Sequence, residues 1–242
     1  MDLNGKAVLV TGGARRLGRA IAIELGRAGV RVAIHYNASS APAEEVLGEL
    51  RSLGVEAIAI AGDLADVAAC EQVVDTALGR WGGLDVLVNN AGIWGATPIG
   101  EVTAERWDEL HHTNLRAMFF LAQRAAPALR ASRGAIVNIA DVGIFRPWKN
   151  YVPYLVSKGG VATLTVALAK DLAPEVRVNA IAPGPVLMPE DYSDEQKQRA
   201  ADSALLKRLG SAEDIAHAAR FLIEADYITG VVLPVDGGQL LA

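Results

Sequence analysis

Seven short aliphatic and β-branched runs, separated by longer stretches of helical periodicity, constrain this chain more than any other feature. The runs are Ala7 to Val10, Val30 to Tyr36, Ala57 to Ala61, Val86 to Asn89, Ala135 to Ile139, Val176 to Ile181 and Val231 to Val235. They are nearly continuous rather than alternating, as strands covered on both faces must be, which is the mark of a parallel sheet. Between them apolar residues return at helical spacing, as in Leu17, Ile21, Leu25 and in Ile215, Ala219, Leu222. The alternation predicts one α/β domain over residues 1–242, a doubly wound parallel sheet of about seven strands with helices on both faces. At 242 residues, 51% of them hydrophobic, the chain can bury one substantial core, and no linker divides it. The least regular stretch is Pro183 to Gln196, where Pro183, Pro185 and Pro189 precede Glu190, Asp191, Asp194 and Glu195. Proline blocks regular pairing there, so the stretch is expected to be a lid over a site or a plain surface loop.

Charge and cysteine usage exclude several partners. The net charge is −5 and the longest basic cluster is Arg15-Arg16, so the footprint of a nucleic-acid surface is missing. The single cysteine, Cys70, has no disulfide partner, is expected to pack in a helix, and with four histidines offers no paired metal-ligand spacing. His111 and His112 are adjacent, so on a helix they point about 100° apart. No metal site is expected. The start, Met1 to Lys6, has no basic region followed by an apolar run, and no window approaches eighteen apolar residues without a charge or breaker. A soluble cytoplasmic protein without a membrane partner is expected.

The first strand runs into Thr11-Gly12-Gly13-Ala14-Arg15-Arg16-Leu17-Gly18-Arg19 and then a helix. A glycine turn there brings backbone N–H groups and the positive end of the helix dipole to a pyrophosphate, so a dinucleotide is the expected ligand. Its type is readable from His35-Tyr36-Asn37-Ala38-Ser39-Ser40, which ends the second strand. An NAD site would hold a carboxylate there for the ribose 2′-OH. Asn37, Ser39 and Ser40 instead suit a 2′-phosphate, with charge from Arg15 or Arg16, and NADP(H) is favoured.

Tyr154 and Lys158 are spaced i, i+4 and share one face of a helix. An ammonium beside the phenol is expected to lower its pKa and make it a usable general acid. The pair occurs with Asn89-Asn90-Ala91-Gly92 after the fourth strand, Asn114, Gly62-Asp63-Leu64, Pro183-Gly184, Tyr227-Ile228-Thr229-Gly230 and Asp236-Gly237-Gly238. With this ordered set the chain resembles a short-chain dehydrogenase/reductase from Lys6 to Gly238. The resemblance implies a Rossmann-like fold, hydride transfer from a nicotinamide cofactor and a homo-oligomer, commonly a tetramer. It implies Tyr154 as proton donor, Lys158 on the nicotinamide ribose and Asn114 in a water relay. The expected cofactor contacts are Gly12, Arg15, Arg16, Leu17 and Gly18 in the first turn, with Tyr36, Asn37 and Ser39 beyond the second strand. Asp63 and Leu64 are expected at the adenine, and Asn89, Ala91, Gly92, Tyr154, Lys158, Pro183 and Gly184 along the remainder.

Two departures sharpen this reading. Arg16 replaces the family's middle glycine of the first turn, and Asp141, thirteen residues before Tyr154, stands where the family has its catalytic serine. Together they are similar to the pteridine reductases, a branch that reduces biopterin and folate. Read as chemistry, a serine hydroxyl donates to a ketone oxygen, whereas an ionised carboxylate only accepts and repels a forming alkoxide. A pterin presents C=N bonds and N–H donors that a carboxylate can orient, and the Asp141 charge would keep Tyr154 protonated. Trp94 matches the aromatic position that stacks a pterin on the nicotinamide. Arg16, Trp94, Asp141 and Tyr154 are thus the expected substrate contacts. Ala38 stands where that branch has a basic residue, and Gly92 where it has a serine. Tyr151 lacks a lysine at i+4 and is expected to line the pocket or only to pack. Pterin reduction is the leading expectation. The alternatives are a carbonyl reductase of the 3-oxoacyl or sugar type with Asp141 protonated, and a non-catalytic NADP-binding sensor.

Overall fold

The computed structural model describes residues 1–188 and 192–242. Within them the chain forms strands β1 (Ala7–Val10), β2 (Arg31–Tyr36), β3 (Ala57–Ala61), β4 (Val86–Asn89), β5 (Ala135–Ile139), β6 (Arg177–Pro183) and β7 (Val232–Val235). The helices are α1 (Arg16–Arg27), α2 (Ser40–Ser52), α3 (Val67–Trp81), α4 (Ala104–His111), α5 (Ala117–Ser132), α6 (Val152–Leu172), α7 (Asp194–Asp202) and α8 (Ala212–Glu224). All seven strands pair in parallel in the order β3-β2-β1-β4-β5-β6-β7. This is the doubly wound Rossmann-like sheet, and its order reverses between β1 and β4.

The continuous apolar runs serve two cores. Val8, Val10, Val86 and Val88 face a layer built with Ile21, Leu25, Leu50, Ile215 and Leu222 of α1, α2 and α8. Leu9, Leu87 and Ile136 point the other way, onto Cys70, Val74, Leu121, Leu129 and Leu168 of α3, α5 and α6. Cys70 is a free, buried packing residue. Helix α6 has 21 residues and contains an 18-residue window of mean hydropathy 1.3, enough by length and composition to cross a membrane. Its inner face, including Tyr154, Lys158 and Val161, is buried.

The proline-rich stretch departs from expectation at both ends. Pro183 closes β6 opposite Val235, because a residue at the end of a strand need not donate to the ladder. At the other end Ser193 and Gln196 form a reciprocal capping box that starts α7. The irregular part of the lid expectation therefore shrinks to the span between these elements, and its residues Pro189, Glu190 and Asp191 lie outside the described residues.

Candidate active site

A cleft of about 430 Å³ opens at the C-terminal ends of β1 and β4, the switch point where open α/β sheets take ligands. Its floor is the turn from β1 to α1. Gly12 sits at φ +62°, where a side chain would be strained and a Cβ would lie 3.0 Å from Ala91 Cα and Asn90 Nδ2. The Asn90 amide donates to the Thr11 and Gly12 carbonyls at 2.9 and 3.1 Å, and Thr11 Oγ1 accepts from the N–H groups of Asn90 and Ala91. Helix α1 begins at this turn with no side-chain cap and no acidic residue in its first turn. Its orphan N–H groups and dipole end therefore remain for an anion, which fits the pyrophosphate of a dinucleotide.

Arg15, Arg16, Leu17, Tyr36, Asn37 and Ser39 line the cofactor half of the cleft with Gly12. Ala91, Gly92, Tyr154, Lys158, Pro183 and Gly184 line it further on. Four expected contacts are not among the lining residues. Gly18 lies behind the turn, where a Cβ would meet the Gly12 carbonyl oxygen at 2.1 Å, so it is needed for close packing. Asn89 is buried in β4 with its amide on Asn138 Oδ1 at 2.9 Å. Leu64 is buried in the core, and Asp63 accepts from the Ala65 N–H of its own turn at 3.0 Å. Arg16 itself adopts the left-handed conformation, φ +51°, and its guanidinium donates to the Leu187 carbonyl. Sequence reasoning missed Trp148, whereas Leu187 and Met188, which also line the cleft, fall within the Pro183 to Gln196 stretch expected as a lid or a surface loop.

Asp141, Tyr154 and Lys158 meet at one wall. Tyr154 Oη donates to Asp141 Oδ2 at 2.7 Å, while Asp141 Oδ1 accepts from the Gly143 N–H at 2.7 Å. Lys158 Nζ donates to the Ile139 carbonyl at 2.7 Å. Burial and then the Asp141 charge push the Tyr154 phenol far above its ordinary range. This corrects the expectation that Lys158 lowers it, because the carboxylate is the group on the phenol. Burial also raises Asp141, against the Gly143 N–H, the Tyr154 hydroxyl and Lys158, and it lowers Lys158 to about 8. Tyr154 is thereby held protonated, and the same burial and charge make it a weaker acid than a free phenol.

Asn114 lies in a π-helical turn, His112–Arg116, between α4 and α5. Its side chain accepts from the Ile93 N–H at 2.8 Å and donates to the Ile93 carbonyl and Ser157 Oγ at 2.9 and 3.1 Å. It positions the strand-β4 loop against α6. Trp94 lines the cleft, but its ring stacks on Tyr151 with centroids 5.8 Å apart and planes within 8°. Trp148 meets the same Tyr151 ring edge-on at 6.0 Å. Tyr151 thus packs the two tryptophans at the mouth.

A nucleotide cradle at the switch point, joined to a buried acid and amine, defines a dinucleotide-dependent oxidoreductase. The family described as Enoyl-(Acyl carrier protein) reductase matches residues 12–239. The chain is 37% identical over 244 residues to 3-oxoacyl-(acyl-carrier-protein) reductase FabG of Staphylococcus aureus, covering 98% of both proteins. A metagenomic blue fluorescent protein solved in complex with NADPH superposes with a TM-score of 0.93 at 35% identity, covering 99% of both chains. A mutant of a Serratia marcescens short-chain dehydrogenase/reductase superposes at 0.94 and 34% identity, covering 99% of this chain and 100% of that one. The chain belongs to the short-chain dehydrogenase/reductase family.

Proposed function

We propose that the protein is an NADPH-dependent reductase of a pterin-type ring. The observation that carries this reading is the Tyr154 hydroxyl donating to the Asp141 carboxylate at 2.7 Å. Among the described residues that line the cleft, Asp141 is the one carboxylate, and it stands where carbonyl reduction uses a donor. Tyr36, Asn37 and Ser39 replace the acid expected for NAD, and Arg15 and Arg16 at the mouth supply charge for a 2′-phosphate. When bound, NADPH supplies the hydride that reduces the carbon of a C=N bond, leaving as NADP⁺. The Tyr154–Asp141 pair gives the proton to nitrogen, Asp141 accepts from a ring N–H, and Lys158 holds the ribose side.

The comparisons favour a second reading, reduction of a 3-oxoacyl thioester, since FabG of S. aureus carries that activity in its name. It needs Asp141 protonated so that the carboxyl donates, and burial acts in that direction. Purified protein with NADPH is tested against a dihydropterin and a 3-oxoacyl thioester. The pterin reading expects NADPH consumption with the first, and turnover of the thioester alone would overturn it in favour of the second. Self-association into a tetramer belongs to the same reading, supported by exposed Phe119, Val156, Val166 and Phe221 on α5, α6 and α8.

A further inference from the structure

His35 lies in the middle of the nucleotide half without lining the cleft. Its ring is 2% exposed, held in β2 between the end of β1 and the end of β3. The Gly12 N–H donates to Nδ1 at 3.3 Å, and Nε2 lies 2.9 Å from the Gly62 carbonyl oxygen. A backbone N–H can only donate and a carbonyl only accept, so Nδ1 carries the lone pair and Nε2 the proton, which assigns the neutral tautomer. Burial lowers the His35 pKa, against the Gly62 carbonyl and the Asp63 charge. The main chain adds a third tie, from the Gly13 N–H to the His35 carbonyl at 2.9 Å.

Each tie controls a different part of the cradle. Gly12 is the residue whose carbonyl lies against Gly18 of α1 and accepts from Asn90, so its position sets where the N-terminus of α1 points. Gly62 is the last residue before Asp63, so its peptide plane sets how the chain leaves β3 toward the adenosine side. One imidazole with one donor and one acceptor fixes both.

We infer that His35 is a positioning residue for the dinucleotide, orienting the glycine turn through Nδ1 and the β3 exit through Nε2. The inference rests on the NADPH reading above, and direct binding separates the two. The measurement is the Kd for NADPH by fluorescence titration, alongside kcat at saturating NADPH and melting of the free protein.

Three variants divide the contacts. His35→Asn keeps an acceptor near the Nδ1 position, His35→Gln keeps a donor near Nε2, and His35→Phe keeps neither. His35→Phe is expected to raise the NADPH Kd about tenfold or more with kcat within about twofold, because the reacting groups on α6 are untouched. His35→Asn is expected to recover most of the affinity and His35→Gln little of it, since the glycine turn faces the phosphates. Should His35→Phe fail to fold, the Asn and Gln pair carries the same contrast. Equal Kd values for all folded variants and the parent, or a loss of kcat in step with affinity, would overturn the inference. A parent protein that binds no NADPH would instead overturn the cofactor reading.

Discussion

Asp141→Asn separates the two substrate readings, because it keeps the shape and the acceptor for the Gly143 N–H while removing one buried charge. Any substrate atom that takes the Tyr154 proton must lie within hydrogen-bond reach of a hydroxyl that is itself 2.7 Å from Asp141 Oδ2. That places it roughly 4 Å from the carboxylate, where a full negative charge would be repelled by about 4 kcal/mol at an effective dielectric constant of about 20. With about half the charge developed in the transition state the penalty is about 2 kcal/mol, or roughly thirtyfold in rate. With Asp141 ionised, carbonyl reduction should therefore rise by about that factor in Asp141→Asn, and with Asp141 protonated no such rise is expected. Pterin reduction should fall, because a hydrogen bond from a ring N–H to a charged acceptor contributes about 1.5–3 kcal/mol, roughly ten- to 150-fold. The assay is kcat/KM for a dihydropterin and a 3-oxoacyl thioester at saturating NADPH, with cofactor affinity as the control. Two rates that move in the same direction by the same factor would refute the reasoning, since charge acts oppositely on a forming oxyanion and on an N–H donor.

Two other perturbations have defined outcomes. The Lys158 pKa is lowered from 10.5 to about 8, so kcat/KM for NADPH should fall as pH rises through about 8 and the amine loses its attraction for an anionic ligand. Between those values the unfolded chain binds more protons than the folded one, so the Lys158 contribution to stability rises with pH, and a melt in the same buffers should show no matching loss. Arg16→Gly removes a left-handed arginine that costs roughly 1–2 kcal/mol, part of it offset by the greater freedom of glycine when unfolded. The expected result is a melting point up to about 3 °C higher with weaker NADPH binding. A melt several degrees lower would show that the guanidinium contact to Leu187 outweighs the strain.

Strand positions were legible because a parallel sheet needs both faces apolar, and a run such as Val86 to Val88 is too short and too rich in β-branched residues to favour a buried helix. The limits were less so. Pro183 looked like a stop because it lacks an N–H, yet at the end of β6 that donor is not required. In the site, identities were legible and contacts were not. An i, i+4 spacing put Tyr154 and Lys158 on one face of α6, but a shared face is not a shared contact. The amine reaches the Ile139 carbonyl, and the phenol is governed by Asp141, thirteen residues away in sequence. His35 was legible as the start of the second-strand end but its contacts were not, because its partners are 23 and 27 residues away and only the register of β2 against its neighbours brings them to one ring.

Under the pterin proposal, Asp141 is the residue that would let substrate choice differ from that of the FabG relative. The sheet, its two cores and the nucleotide cradle serve any hydride-transfer member of this fold. Substrate choice depends on which way a proton or hydrogen bond runs at one or two atoms. A carboxylate in place of a hydroxyl at 2.7 Å from the acid reverses that direction. A relative 37% identical can therefore share the cofactor machinery and differ in the bond reduced. The protonation state of Asp141 decides between the readings: ionised, it selects a substrate with an N–H to give, and neutral, it returns the donor that a carbonyl oxygen needs.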